Sequence, residues 1–238
     1  MRDIETSRRV GLLVPSSNTV MEPDLWRALP PGATLHTGRM YLEDTTPEGE
    51  NRMLDEHVIP PARDLATARP DLIVFGCTSA GALRGNDYDA ELCRRISDLS
   101  GVPTVSVIAS VRRSIAASGA RRVGVVTPYV DALNQRIKES VEADGVEVAA
   151  IAGLGISDNF EIAAVPGEEI VDFAERSLRG LDVDLAFVSC TNFPAVRVLP
   201  ELERRLGLPV VTSNQAAIAA VLALLDGRVD AASATRGG

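Results

Sequence analysis

Two stretches decide how this chain is read: Phe75-Gly76-Cys77-Thr78-Ser79-Ala80-Gly81 and Val188-Ser189-Cys190-Thr191-Asn192-Phe193-Pro194. Each closes a short apolar run, Leu72–Phe75 (LIVF) in one and Leu185–Val188 (LAFV) in the other, and each then turns polar. The two cysteines are 190 − 77 = 113 residues apart. The same shift carries Arg8-Arg9-Val10-Gly11 onto Arg121-Arg122-Val123-Gly124, Pro15 onto Pro128, and Asp71-Leu72 onto Asp184-Leu185. Further along, Gly101-Val102-Pro103 matches Gly207-Leu208-Pro209 at 207 − 101 = 106. The strand–loop grammar shared by all α/β units yields single matches of this kind. Several at one offset, with Cys and Asp among them, indicate a duplicated half.

Outward from these stretches, short apolar runs alternate with longer amphipathic ones. The runs are Val10–Val14, Leu72–Phe75, Thr104–Ile108, Val123–Val126, Val146–Ile151, Leu185–Val188 and Val210–Thr212. Continuous runs of this length suit parallel strands buried on both faces. Helices are expected over Pro47–Thr67, Asp87–Leu99, Ala109–Ser118, Tyr129–Ala143, Pro166–Leu178, Phe193–Arg205 and Gln215–Leu225. The alternation predicts an α/β fold of two pseudo-symmetric halves, each a parallel sheet flanked by helices. The expected division is residues 1–113 with 208–238 in the first half and 114–207 in the second. The small, polar tail from Asp226 to Gly238 is expected to fray. Ligands of open α/β sheets lie outside the carboxyl ends of the strands, which is where both cysteine loops fall.

Composition narrows the function. Of 238 residues, 45% are hydrophobic and 24% charged, as in ordinary globular proteins, and the net charge is −9. This balance argues against a duplex-binding surface, which needs clustered Lys and Arg. No apolar run reaches the length of a membrane span, and MRDIETSRRV lacks the apolar core of a signal peptide. The chain is therefore expected in the cytoplasm, without nucleic-acid or membrane partners, as a homo-oligomer acting on a small molecule. Three cysteines do not make a disulfide framework. Two histidines, His36 and His57, leave little for a zinc site. Neither GxGxxG nor GxxxxGK[ST] occurs, so no nucleotide, metal or other cofactor is expected.

The chemistry then falls to Cys77 and Cys190. Helix-opening N–H groups favour a thiolate and cradle a carboxylate. A single free cysteine is usually a core residue, and Cys93, mid-helix, is read that way; two at duplicated positions are read as functional. Facing thiols suit a reaction in which one attacks or deprotonates carbon and the other moves a proton, with no cofactor. Val14-Pro15-Ser16-Ser17-Asn18-Thr19 offers donors to an anion or a cap to a helix. Its duplicate, Thr127-Pro128-Tyr129, offers a phenol, and Ser157-Asp158-Asn159-Phe160 is a further polar loop. Glu43–Glu48 reads as a solvated acidic loop or a lid.

PSSNT at 15–19, GCTSA at 76–80, TPY at 127–129, DNF at 158–160 and SCTN at 189–192 resemble the aspartate/glutamate racemase superfamily. Within it they are most similar to the branch of maleate cis–trans isomerases and arylmalonate decarboxylase-like proteins, over about residues 8 to 225. The resemblance implies an active site in a cleft between the halves. It implies Cys77 as nucleophile, Cys190 as its acid/base partner, and Asn18, Tyr129 and Asn159 as carboxylate binders. Ser17, Thr78, Ser79, Thr191 and Asn192 complete the expected substrate-binding set. The implied reaction converts maleate to fumarate by thiolate addition, rotation and elimination. Decarboxylases of the branch keep only the second cysteine, which points away from decarboxylation. Amino-acid racemases keep both thiols but add acidic or histidine helpers, and no acidic neighbour is evident at either cysteine motif. A cofactor-independent racemase of an amino acid or hydantoin and a non-catalytic carboxylate-binding protein are the alternatives.

Overall fold

The computed structural model describes residues 8–227. Eight parallel strands form two four-stranded sheets. The first contains β1 (Arg9–Pro15), β2 (Thr34–Met40), β3 (Leu72–Phe75) and β4 (Thr104–Ser106), in the order β2-β1-β3-β4. The second contains β5 (Arg122–Thr127), β6 (Glu147–Gly153), β7 (Leu185–Val188) and β8 (Val210–Thr212), in the order β6-β5-β7-β8. The duplication is real at the level of single residues: β2 plus 113 is β6, β3 plus 113 is β7, and β4 plus 106 is β8. The strands β3, β5 and β7 are buried almost throughout, as their apolar runs require.

Several expectations need correction. β2 was not among the expected strands, because TLHTGRM is an edge strand with half-buried, mixed side chains. Val107 and Ile108 belong to a helix rather than to β4. The expected helix Pro47–Thr67 is broken into α2 (Pro47–Arg52), a π-helical turn at Met53–His57 and α3 (Ile59–Ala66), which opens on Pro60 and Pro61 where missing N–H groups do no harm. Three short helices were also unforeseen: α1 (Met21–Ala28), α4 (Thr78–Leu83) and, in the second half, α8 (Asn159–Ala164). The remaining helices are α5 (Asn86–Ser100), α6 (Val107–Ser118), α7 (Asp131–Glu142), α9 (Gly167–Leu178), α10 (Leu199–Leu206) and α11 (Ser213–Leu225). Beyond Gly227, the tail expected to fray lies outside the described residues.

The matching Gly-x-Pro motifs have one structural cause. Gly101 and Gly207 end α5 and α10 at φ 74° and 65°, a left-handed cap that glycine adopts without strain, just before β4 and β8. After those strands a hydroxyl caps each following helix: Ser106 accepts from Ala109 N–H, and Thr212 forms a capping box with Gln215. α6 and α11 pack on one another along the joint between the halves, and α11 also reaches α1, β3 and β4 of the first half. Of the segment after residue 208, α11 thus packs against elements of the first half. β8 pairs with β7 and belongs to the second sheet. Among the described residues, no helix is long and apolar enough to cross a membrane.

Candidate active site

In each sheet the chain crosses from one side of the first strand to the other, so β1/β3 and β5/β7 are the two topological switch points. Ser17 and Asn18 follow β1, and Cys77 follows β3. Tyr129 follows β5, and Cys190 follows β7. The loops from the two halves meet and interlock. Asn18 Nδ2 donates to Thr191 Oγ1 at 3.0 Å, and Thr191 Oγ1 donates to the Gly76 carbonyl at 3.2 Å. Thr19 N–H donates to Asn192 Oδ1 at 2.9 Å. Asn159 Nδ2 donates to Ser17 Oγ at 2.8 Å, and Asn192 Nδ2 donates to the Asn159 carbonyl. Asn18 Oδ1 also accepts, at 3.0 Å each, from the N–H groups of Val20, the N-cap residue of α1, and of Met21, its first residue. Gly76 has no room for a side chain: a Cβ would lie 2.7 Å from the Leu13 carbonyl and 2.8 Å from Met21 Sδ.

Every expected site residue lies in this cluster. Cys77 and Cys190 are only 5% and 6% exposed, and each acts electrostatically on the neighbourhood of the other. Asn18, Thr78, Ser79, Tyr129, Asn159, Thr191 and Asn192 are buried, and Ser17 is half-buried. One hydroxyl outside the expected set ties the two thiol loops together. Ser213, at the start of α11, accepts from Thr78 Oγ1 at 2.9 Å and from Cys190 N–H at 3.0 Å. Cys93 stands apart in α5, with Asp89 and Arg113 as its charged neighbours, in keeping with a core role.

The two thiols are held differently. Cys77 is the N-cap residue of α4 in extended backbone, and the Ala80 N–H favours its thiolate. Cys190 has φ 101°, a left-handed conformation that costs a non-glycine residue on the order of 1–3 kcal/mol. Burial pushes Cys190 up to about 11, opposed by the Tyr129 phenol and by the Asn192 and Phe193 N–H groups. The Asn192 N–H lies 3.3 Å from its Sγ. Burial pushes Cys77 well above the usual thiol range, and the charge of Glu50 adds to that. Tyr129 is raised well above its ordinary value by burial and by both thiols. No Lys or Arg is among the leading influences on either cysteine.

Glu50 is the residue that sequence reading missed. Its carboxylate is fully buried, and Ser79 Oγ donates to its Oε1. Ser79 Oγ in turn lies 3.9 Å from Cys77 Sγ. Burial raises Glu50 from 4.5 to about 8, with the Ser79 hydrogen bond opposing. The expectation that no acid neighbours either cysteine is thereby corrected: α2 delivers one from 77 − 50 = 27 residues upstream. The acidic segment before it is not simply a solvated loop. Glu43 and Asp44 are exposed, but Leu42 and Thr45 are buried, and Thr45 N–H donates to the Ser157 carbonyl of the second half at 2.8 Å. The Leu83–Asp87 stretch is likewise tied across, through Asn86 and Ser140. His36 and His57 lie elsewhere, against Thr34 and Tyr41 respectively.

Comparison with known proteins agrees with this architecture. The family model described as arylmalonate decarboxylase matches residues 10–237. A maleate isomerase of Nocardia farcinica is 29% identical, over 92% of this chain and 90% of that protein. An arylmalonate decarboxylase of Bordetella bronchiseptica is 29% identical, over 87% and 86%. The solved structure of a mutant Nocardia farcinica maleate cis–trans isomerase with a covalently bound succinylcysteine intermediate superposes with a TM-score of 0.83. It is 26% identical, over 92% of this chain and 93% of that one.

Proposed function

The chain belongs to the arylmalonate decarboxylase family, and from that premise we propose that it is a cofactor-independent cis–trans isomerase of a small dicarboxylate of the maleate type. The observation that carries the proposal is the pair of buried thiols at equivalent strand ends, inside one shell of neutral donors drawn from both halves. The succinylcysteine of the Nocardia farcinica enzyme supports covalent chemistry of this kind.

Cys77 is the nucleophile and Cys190 its acid/base partner. In the singly ionised thiol pair the remaining proton rests on Cys190, which leaves Cys77 as the attacking thiolate. Cys77 sulfur then bonds to one alkene carbon, and the π electrons move onto the neighbouring carboxylate as an enediolate. The former double bond is now single and turns by half a rotation. Return of the electrons expels the thiolate and leaves the trans product. Ser17, Asn18, Tyr129, Asn159, Thr191 and Asn192, with Thr78 and Ser79, serve as donors to the two carboxylates and to the charge that grows on one of them. Several of these donors are paired with each other, so substrate binding exchanges partners rather than finding free ones.

Proton NMR of the protein with maleate in deuterated buffer tests this reading: fumarate without deuterium at carbon is the expected product. Glu50 beside Cys77 favours a second reading, a two-thiol racemase, because an acid helper accompanies that chemistry. Aspartate or glutamate in the same assay separates the two, since racemisation places solvent deuterium on the α-carbon and addition–rotation does not.

A further inference from the structure

Glu50 has no part in the chemistry above, yet its position is a built one. It is the fourth residue of α2, a helix packed against α4, which carries the Cys77 loop. One oxygen, Oε1, accepts from Ser79. The other, Oε2, is fully buried without a hydrogen-bond partner. Asn18 and Asn159 differ in this respect, being already paired with Thr191 and Ser17 respectively. An ionised Oε2 here would be a buried charge without compensation. A protonated Oε2 is instead a donor whose acceptor has yet to arrive.

We propose that Glu50 works as a neutral carboxylic acid that donates its Oε2–H to the substrate carboxylate on the Cys77 side, so that the cleft admits a dianion only while this acid is protonated. The inference rests on the dicarboxylate reading above and deepens it. No covalent bond to Glu50 forms or breaks. As thiolate addition moves charge onto that carboxylate, the hydrogen bond strengthens, which is the contribution an acid held neutral by its surroundings makes to an enolate-like state. The same protonation lifts from Cys77 the charge that most directly opposes its ionisation after burial itself.

The pH at which this device releases follows from the groups around it. Burial holds the Glu50 acid up to about 8. Cys77, Cys190 and Tyr129 are the titratable groups that feel Glu50 across the cleft. Cys190 lies at about 11 and the other two well above their ordinary values. On its own helix stand Glu48 and Arg52, and on the π turn Asp55, Glu56 and His57, with Asp55 paired to Arg84. α4, on the facing side, carries no charged side chain.

Calorimetric titration with succinate, a saturated dicarboxylate to which thiols cannot add, tests the proposal. Between pH 7 and 9.5 the wild-type affinity is expected to fall roughly thirtyfold, as a single acid with its midpoint at about 8 ionises. Glu50→Gln keeps a donor in place but does not titrate, and its affinity is expected to stay flat over that range. Glu50→Ala is expected to bind weakly throughout. The same fall in Glu50→Gln, or no fall in the wild type, overturns the role given to Glu50 while leaving the isomerase reading standing. A wild type that binds neither succinate nor maleate overturns both.

Discussion

The two sheets repeat the same strand order, and the loops that follow their first and third strands carry the same kinds of residue. Their thiols nevertheless stand in different surroundings. The first helix after β2 is α2, and the first after β6 is α8, both six residues long. The fourth residue of each is fully buried: Glu50 in one, Ile162 in the other. After β3, Cys77 opens a helix at once, whereas after β7, Cys190 sits in a strained turn and the next helical turn begins only at Ala195. The phenol of Tyr129 and two backbone N–H groups favour the Cys190 thiolate, and the Ala80 N–H and Ser79 hydroxyl favour that of Cys77; Glu50 opposes both, Cys77 the more directly. Duplication supplied two thiols; local divergence gave each its own set of neighbours, as the separate roles of nucleophile and acid/base partner require.

The comparison breaks most severely if the thiols prove unequal in importance. Cys77→Ala and Cys190→Ala are each expected to lower turnover of the true substrate by orders of magnitude with unchanged circular dichroism. Near-normal turnover in either variant would falsify the paired-thiol mechanism. The next effect is on stability. Because the folded-state value of Glu50 is raised above its ordinary 4.5, the wild type loses stability relative to Glu50→Gln as pH climbs from about 4.5 to about 8. The gap is on the order of a few kcal/mol at its widest. Thermal melts at pH 5 and pH 8.5 measure it, and a gap that fails to open with pH contradicts the buried acid.

A smaller effect is expected at the donors. Tyr129→Phe removes a phenol from the second half and Asn18→Ala an amide from the first; each is expected to raise the barrier by roughly 1–3 kcal/mol, read as kcat/KM. If only the variant in one half matters, the carboxylates are not shared between halves. The smallest effect sharpens the pairing itself. In the free protein at pH 8.5, iodoacetamide is expected to label Cys77 and Cys190 at rates that differ several-fold, as peptide mapping would read. Equal rates mean that the divergent surroundings leave the two thiols alike.

Much of this was legible beforehand, in physically specific places. The strands β3 and β7 coincide with their apolar runs because central, doubly buried strands have little freedom in composition, and β8, although at a sheet edge, is buried throughout. β2 escaped because an edge strand need not be apolar, although carrying β6 back by 113 residues lands on it from Thr34 to Met40. All ten expected site residues fall in one cluster, since cysteine, asparagine and hydroxyl side chains at strand ends are informative wherever they repeat. Glu50 was illegible for two reasons. It lies in a run of exposed acids, Glu43, Asp44 and Glu48, that reads as solvated surface. Its burial also depends on the turn of α2, set by the Thr46 cap and Pro47, which no periodicity in so short a helix reveals.

The crossing of α6 and α11 at the joint has a consequence for how the molecule could diverge. Two equivalent helices packed on one another about a pseudo-twofold form the kind of self-complementary contact by which identical subunits make a C2 dimer. In such a dimer every substitution is made twice. An acid introduced beside one thiol would appear beside both, placing two buried carboxyls in a single cleft. With both halves on one chain, Glu50 can face Ile162 as its counterpart, and Tyr129 can answer Ser16. Covalent fusion is the condition under which a symmetric cleft can hold an asymmetric set of proton donors.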